Sequence, residues 1–286
     1  MSSPRPRRSV LYLPASNAKA LAKARELPCD VVILDLEDAV APEHKAEARA
    51  GAVAAVREGG WGRRELVVRV NGLDTAQGAD DLAAIAPTGP DAVLVPKVSS
   101  ADDVLSYNAA LNAAPAHTRL WIMVETCALI PRLDEVAALA GSTRLAGFAL
   151  GTNDLAKEMR AQLRPGRAPF LPILTQTVCA ARANGLAVID GVCNEFRELA
   201  PFRAECEQGL EFGFDGKSLI HPDQVEPCNA VFSPSEADLA WARAVVAAFE
   251  LPENQGKGAI RVEGRMAELL HLDQARRLLA IAAAIG

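Results

Sequence analysis

Along the chain, short β-branched or apolar runs end in polar residues and give way to alanine-rich amphipathic stretches, and this unit recurs eight times. Such a run reads as a strand and the stretch after it as a helix. The runs lie at residues 10–13, 31–34, 66–70, 92–95, 120–124, 145–150, 186–189 and 212–215. Each is nearly continuous in apolar residues rather than alternating, which predicts strands buried on both faces, as in a parallel sheet covered by helices. Eight units are enough to close a barrel. An open doubly wound sheet is the competitor, but no Gly-x-Gly-x-x-Gly turn follows any of the early strands. The expected fold is an α/β TIM (β/α)8 barrel over residues 1–233. Two more helical stretches, at about 235–250 and about 265–283, are joined by the Gly- and Pro-rich residues 251–258, a turn or hinge. They form an expected C-terminal helical extension, residues 234–286.

Composition narrows the partners. Half of the 286 residues are hydrophobic and only 5% are aromatic, so the core is assembled from Ala, Leu, Val and Ile. A net charge of −6 and a pI near 5.4 argue against the broad basic surface that nucleic-acid binding needs, leaving a small molecule as the partner. One local basic cluster, Arg5, Arg7 and Arg8 followed by Lys19, Lys23 and Arg25, is a candidate phosphate holder; the alternative is a solvated chain start and helix face. The six cysteines are scattered without Cys-x-x-Cys pairs or Cys/His ligand spacing, and read as small buried thiols. No run suits a signal peptide, and none approaches the ~18 apolar residues of a membrane span. The expected setting is soluble, reducing and cytoplasmic, with no membrane partner.

In a barrel of this kind the polar residues that close each strand form one ring around the mouth. That ring holds Asp35-Leu36-Glu37-Asp38, Arg69-Val70-Asn71, Pro96-Lys97, Glu125-Thr126, Gly151-Thr152-Asn153-Asp154, Asp190 and Asp215-Gly216-Lys217-Ser218. So many carboxylates repel one another and raise their pKa values unless cations intervene. With no His or Cys among the strand-end groups before His221, the ring offers hard oxygen ligands, which select magnesium or manganese over zinc. Asp35, Glu37 and Asp38 also suit rim ion pairs or helix caps, and Lys97 and Lys217 suit pairing with those acids. Glu125 follows five apolar residues, and a buried carboxylate is costly unless paired or metal-bound. Arg69, inside Val-Val-Arg-Val-Asn, needs a carboxylate or an anionic ligand for the same reason. His221-Pro222 reads as loop punctuation.

Several of these segments, in this order, resemble the citrate-lyase beta-subunit family, which contains malyl- and citramalyl-coenzyme A lyases and belongs to the HpcH/HpaI aldolase superfamily. They are Arg8-Ser9-Val10-Leu11-Tyr12-Leu13-Pro14, Ile33-Leu34-Asp35-Leu36-Glu37-Asp38-Ala39-Val40, Val68-Arg69-Val70-Asn71 and Val95-Pro96-Lys97-Val98. Met123-Val124-Glu125-Thr126, Leu150-Gly151-Thr152-Asn153-Asp154-Leu155 and Phe214-Asp215-Gly216-Lys217-Ser218-Leu219-Ile220-His221-Pro222 complete the set. The resemblance implies a TIM barrel with Mg2+ on Glu125 and Asp154, Arg69 as a catalytic and substrate-binding residue, and coenzyme A as part of the substrate. The implied reaction cleaves a small hydroxyacyl-coenzyme A thioester of citramalyl or malyl type to acetyl-coenzyme A and a 2-keto acid. Glu125, Gly151 and Thr152 would face the substrate, Gly151 and Thr152 through backbone N–H groups. Lys19 and Lys23, four apart on one helix face, would meet the coenzyme A phosphates.

The resemblance also implies a homo-oligomer, trimer or hexamer, in which the C-terminal extension acts as a lid over a neighbour's barrel and brings an acid for proton exchange. The family's usual pattern there is Gly-Lys-Met-x-Asp before Pro; here it is Gly264-Arg265-Met266-Ala267-Glu268, with Glu268 in the acid's place. The extra methylene changes the reach by about 1.5 Å, enough to matter over hydrogen-bond distances. Three alternatives stand beside the lyase: the beta subunit of a multi-subunit citrate lyase acting on a carrier-bound citryl group, a malyl-coenzyme A thioesterase, and a non-catalytic paralogue that binds a coenzyme A ester.

Overall fold

A computed structural model describes residues 5–285 and divides the chain into two compact units, Arg7–Phe232 and a smaller one that takes in the chain from Ser233 onward. The first unit begins β1 (Ser9–Pro14), α1 (Ala18–Ala24), β2 (Val31–Asp35), α2 (Lys45–Glu58), β3 (Glu65–Arg69), α3 (Gly78–Ile85), β4 (Ala92–Val95) and α4 (Ala101–Ala110). It continues through β5 (Arg119–Val124), α5 (Leu133–Ala138), β6 (Leu145–Leu150), α6 (Thr152–Met159), α7 (Leu171–Ala183) and β7 (Ala187–Asp190). It ends with α8 (Leu199–Phe212), β8 (Gly216–Leu219) and α9 (Val225–Phe232). Each strand runs parallel to the next and β8 returns to pair with β1, so the sheet closes as an eight-stranded TIM barrel.

Alternation along the strands explains both the continuous apolar runs and the placing of the polar ends. Val32, Leu34, Val68, Ile122 and Val124 pack outward against the helices, while Val31, Ile33, Val67, Trp121 and Met123 fill the barrel interior. Successive strand side chains point to opposite faces. The inward series 31, 33 therefore continues to Asp35, 67 to Arg69, and 121, 123 to Glu125. Tyr12 follows Val10 inward on β1 by the same count.

The eighth strand differs from expectation. Residues 212–215 are a helix end and a turn: α8 stops at Gly213, whose left-handed backbone (φ 92°) is closed by Phe214 N–H donating to Gly209 O and Gly213 N–H to Leu210 O, both 3.0 Å. Phe212 and Phe214 look like strand because both are apolar, but glycine between them breaks the helix rather than bulging a strand. The true strand begins at Gly216, where an added Cβ would sit against the carbonyl oxygens of Arg7 and Arg8. Gly216→Ala is expected to displace the β8 start from β1 and lower unfolding stability by about 3 kcal/mol, read by urea titration.

The second unit also departs from the expected pair of helices. After α10 (Glu236–Glu250), strands β9 (Ala259–Val262) and β10 (Arg265–Glu268) form an antiparallel hairpin, and α11 (Leu269–Ile285) follows. Glu263 (φ 46°) and Gly264 (φ 82°) make its two-residue turn, the mirror-type geometry that matches strand twist. Ile260, Val262 and Ala267 are buried from the hairpin into a separate core with Val245, Phe249 and Leu272. Glu268 is thus the last hairpin residue, not a helical one. Among the described residues, no helix is long and apolar enough to cross a membrane.

Candidate active site

At the C-terminal end of the strands lies a cavity of about 370 Å³ lined by Tyr12, Asp35, Arg69, Glu125, Thr152 and Asp154 among others. Parallel strands deliver these groups from β1, β2, β3 and β5, while Thr152 and Asp154 stand in the first turn of α6.

Arg69 is fixed before any ligand arrives. Its Nε and Nη2 donate to the two oxygens of Asp35 at 2.7 and 2.6 Å, a bidentate clamp. Asp35 in turn accepts from the backbone N–H groups of Glu37 (2.9 Å) and Ala39 (3.0 Å), so it closes the turn after β2 while holding the guanidinium. Nη1 donates to Asp38 at 3.2 Å and lies 2.8 Å from Glu37 Oε2, a close ion contact without hydrogen-bond alignment, since that oxygen has no hydrogen-bonding partner. The guanidinium also sits 5.2 Å from the centre of the Tyr12 ring. Burial works against the charge, yet the bonds to Asp35 outweigh it and hold the Arg69 pKa well above its ordinary value.

One cation thus faces three carboxylates, and Glu37 yields: burial, against the pull of Arg69, pushes its carboxyl up to about 8 from 4.5. Folding therefore favours protonated Glu37, a stabilisation fully present below the unfolded pKa and lost as pH rises through the folded one. In metal-free protein the wild type is expected to lose stability between pH 4.5 and 8, by a few kcal/mol at most, since one unit is worth about 1.4 kcal/mol. Glu37→Gln should flatten that slope in thermal melts at pH 5 and pH 9.

On the other side of the cavity Lys97 joins two carboxylates. Its Nζ lies 2.6 Å from Asp154 Oδ1 and 3.3 Å from Glu125 Oε1, and its backbone N–H donates to Glu125 Oε1 at 2.8 Å. That backbone is left-handed (φ 54°), which is uncommon for a non-glycine residue and aims N–H and side chain at the same acid. Burial opposes the lysine charge, but Asp154 and Glu125 raise its pKa; burial raises that of Glu125, with Lys97 opposing.

Three observations bear on a metal here. Glu125 is 1% exposed, yet its Oε2 has no hydrogen-bonding partner. Space for that carboxylate is kept by Gly151, where a Cβ would come within 2.5 Å of Glu125 Cβ and 2.7 Å of Oε2. An ammonium already draws Glu125 and Asp154 together. Among the described residues no cluster of three or more His, Cys, Asp or Glu forms a ligand group. Magnesium takes one or two protein carboxylates and fills its other positions with water and substrate, so the pair fits magnesium and not a dedicated protein cage.

Gly151 and Thr152 line the mouth but in roles other than those expected, and the remaining expected site residues fall elsewhere. The N–H of Gly151 donates to Val124 O (2.9 Å), so this glycine contributes space and not a donor to substrate. Thr152 is buried with its Oγ1 unpartnered. Asn71 is tied to Asp81, Leu36 and Lys45. Asp215 precedes β8 at the opposite end of the barrel and pairs with Arg182 at 2.8 Å. Lys217, inside β8, alternates outward from Ser218, which lines the mouth, and meets Asp190 (2.8 Å) and Glu205 (3.1 Å) under α8. Lys19 and Lys23 are exposed on α1 and outside the cavity wall. Glu268 is half-buried, and its N–H donates to His271 Nδ1 at 3.0 Å. Tyr12, which lines the mouth from β1, is absent from the strand-end ring because it lies within its apolar run, where the inward count from Val10 reaches it.

A family model described as HpcH/HpaI aldolase/citrate lyase matches residues 8–222. The chain belongs to this family. Family relatives include a (3S)-malyl-CoA thioesterase of Cereibacter sphaeroides (strain KD131), 47% identical over 281 residues, or 98% of this chain and 96% of that protein. An L-malyl-CoA/beta-methylmalyl-CoA lyase of the same species is 34% identical over 297 aligned positions, 95% of this chain and 93% of that one. Among solved structures, CitE of Mycobacterium tuberculosis in complex with magnesium, acetoacetate and coenzyme A matches with a TM-score of 0.77 and 30% identity, covering 96% of this chain and 97% of that one.

Proposed function

We propose that the barrel mouth holds magnesium, or manganese, on Glu125 and Asp154, binds a malyl-type coenzyme A thioester, and hydrolyses the thioester bond. The observation that carries this reading is 47% identity along nearly the whole of both chains to a protein named for that activity, against 34% to a named lyase. In the balanced reaction, water oxygen adds to the thioester carbonyl carbon, the carbon–sulfur bond breaks, and the sulfur leaves carrying a proton. The products are a hydroxy diacid and the coenzyme A thiol.

A bound metal would supply Lewis-acid charge to the hydroxy-carboxylate of the substrate. The chain's own residues do the rest. Arg69, clamped by Asp35, keeps a fixed positive charge in the mouth for negative charge that develops on a substrate oxygen, and it needs no reorganisation to do so. Lys97 neutralises the two acids in the free protein, and its side chain, 38% exposed, can withdraw when a stronger cation takes them. Thr152, at the start of α6, is the proposed backbone N–H donor to the substrate in the mouth. Lys19 and Lys23 are the proposed contacts of the coenzyme A phosphates.

Carbon–carbon cleavage is the second reading, favoured by the family's lyases and by Arg69 meeting Glu125 and Asp154 in one cavity. In it the hydroxyl loses its proton, its electrons form the keto group, the carbon–carbon bond breaks, and Glu268 of a neighbouring copy of the chain returns a proton to the acetyl carbon. The lower identity to the named lyase is what sets this reading second. The experiment is turnover of a panel of malyl- and citramalyl-coenzyme A thioesters over a magnesium titration, following free thiol and acetyl-coenzyme A. Metal-dependent thiol release supports hydrolysis; neither product from any thioester sinks both readings.

A further inference from the structure

Beside the mouth, between the loop before α7 and the loop after β7, lies a second cavity of about 410 Å³ that shares Thr152 and Val192 with it. We propose that this side cavity is a separate binding site for a small hydroxy-carboxylate, whose carboxylate is taken by Arg167 and Thr152.

Arg167 lines the cavity at 2% exposure. Its Nη1 donates to both oxygens of Asp190 (2.7 and 2.9 Å) and its Nε to Gln208 Oε1 (2.8 Å), which fixes the plane of the guanidinium. Nη2 is left with no partner, and so is Thr152 Oγ1, a buried hydroxyl in the same wall. A buried donor without an acceptor loses on the order of 1–3 kcal/mol, more for a charged group, so two such groups on residues of one cavity wall would each gain from an oxygen ligand that reaches them. The backbone of Arg167 is left-handed (φ 50°), and the bonds to Asp190 and Gln208 hold it in that disfavoured state. The charges behind the wall are balanced: Lys217 sits on Asp190 and Glu205, so the unused Nη2 is free to receive an anion without uncovering another.

The cavity also presents acceptors. Glu205, 21% exposed, and Glu195 stand in its wall, so a ligand gains by carrying a hydroxyl donor besides its carboxylate. The volume is at the low end of small-molecule pockets, which run from about 300 to 1,000 Å³. Asn153 and Asn194 exchange amide bonds at 3.1 and 2.8 Å across the rims of the two cavities, one residue lining each. A ligand here is therefore divided from the mouth by that amide pair while touching Thr152, which both cavities share.

The test is calorimetric titration of the full chain with malate in the presence of a chelator, which silences any metal-dependent site. One equivalent is expected to bind. Arg167→Lys, which keeps the charge facing Asp190 but lacks Nη2, and Ala204→Leu, which fills the cavity from the exposed face of α8, should each weaken binding at least tenfold; Glu125→Gln should leave it unchanged. If Arg167→Lys does not fold, Ala204→Leu decides alone. No chelator-resistant binding, binding that survives Ala204→Leu, or binding lost with Glu125→Gln overturns the proposal. A protein that binds malate in this way but hydrolyses no thioester would refute the proposed function and leave the side site standing.

Discussion

Glu125→Gln is expected to lower magnesium-dependent turnover by at least about 10³-fold, equivalent to about 4 kcal/mol of transition-state stabilisation. The substitution keeps the shape of a side chain that has almost no room, with Gly151 against it, and removes only the charge. Lys97 keeps its 2.6 Å contact with Asp154, so the variant retains one of its two ion pairs on that side of the mouth. Burial already disfavours the ionised carboxyl, raising its pKa, so loss of that charge should leave metal-free stability close to wild type. Activity and stability therefore separate: a large loss of turnover and of magnesium affinity by calorimetry, with a nearly unchanged melting temperature. Wild-type turnover in this variant would remove Glu125 from the site.

The largest effect on stability is expected at Asp190, not at the mouth. Its carboxylate is completely buried between Arg167 and Lys217, and although burial opposes ionisation, Lys217 and Arg167 together hold its pKa below the ordinary value. Asp190→Asn leaves two buried cations facing an amide, and breaking a buried pair of this kind costs about 3–5 kcal/mol. The pH dependence gives the sign. A depressed folded pKa contributes stability that is present above the unfolded pKa and lost as pH falls through the folded one. Denaturant titrations of wild type and variant should therefore differ most near neutral pH and converge in acid. A constant difference down to acid pH would mean that packing, not charge, is what the substitution removes.

The barrel was legible because parallel strands covered on both faces carry unbroken apolar runs, and seven of the eight lay where those runs placed them to within one or two residues. The eighth misled because Phe212 and Phe214 are apolar for a different reason, one ending a helix and the other packing under its glycine cap. The hairpin at β9 and β10 was missed because four-residue strands give too short an alternation to outweigh the helix formers around them, although Glu263-Gly264 is a turn signal. At the site, inward-facing Arg69 and Glu125 stood out as charges in apolar runs. What the strand-end ring did not reveal was the sorting by face: Lys217 follows the alternation outward and Asp190 serves it, while Asp215 lies at the wrong end of its strand. Nor did it show that Asp35 spends both oxygens on Arg69, because pairing across strands depends on barrel register and not on sequence spacing.

The central claim is that a malyl-type thioester loses its sulfur in this barrel. It is tested most directly by product analysis after complete conversion of (3S)-malyl-CoA with enzyme and magnesium. The account predicts one equivalent each of free coenzyme A thiol and malate, with no glyoxylate. Equal amounts of acetyl-coenzyme A and glyoxylate, with no free thiol, would contradict it and place the chain with the carbon–carbon lyases of its family.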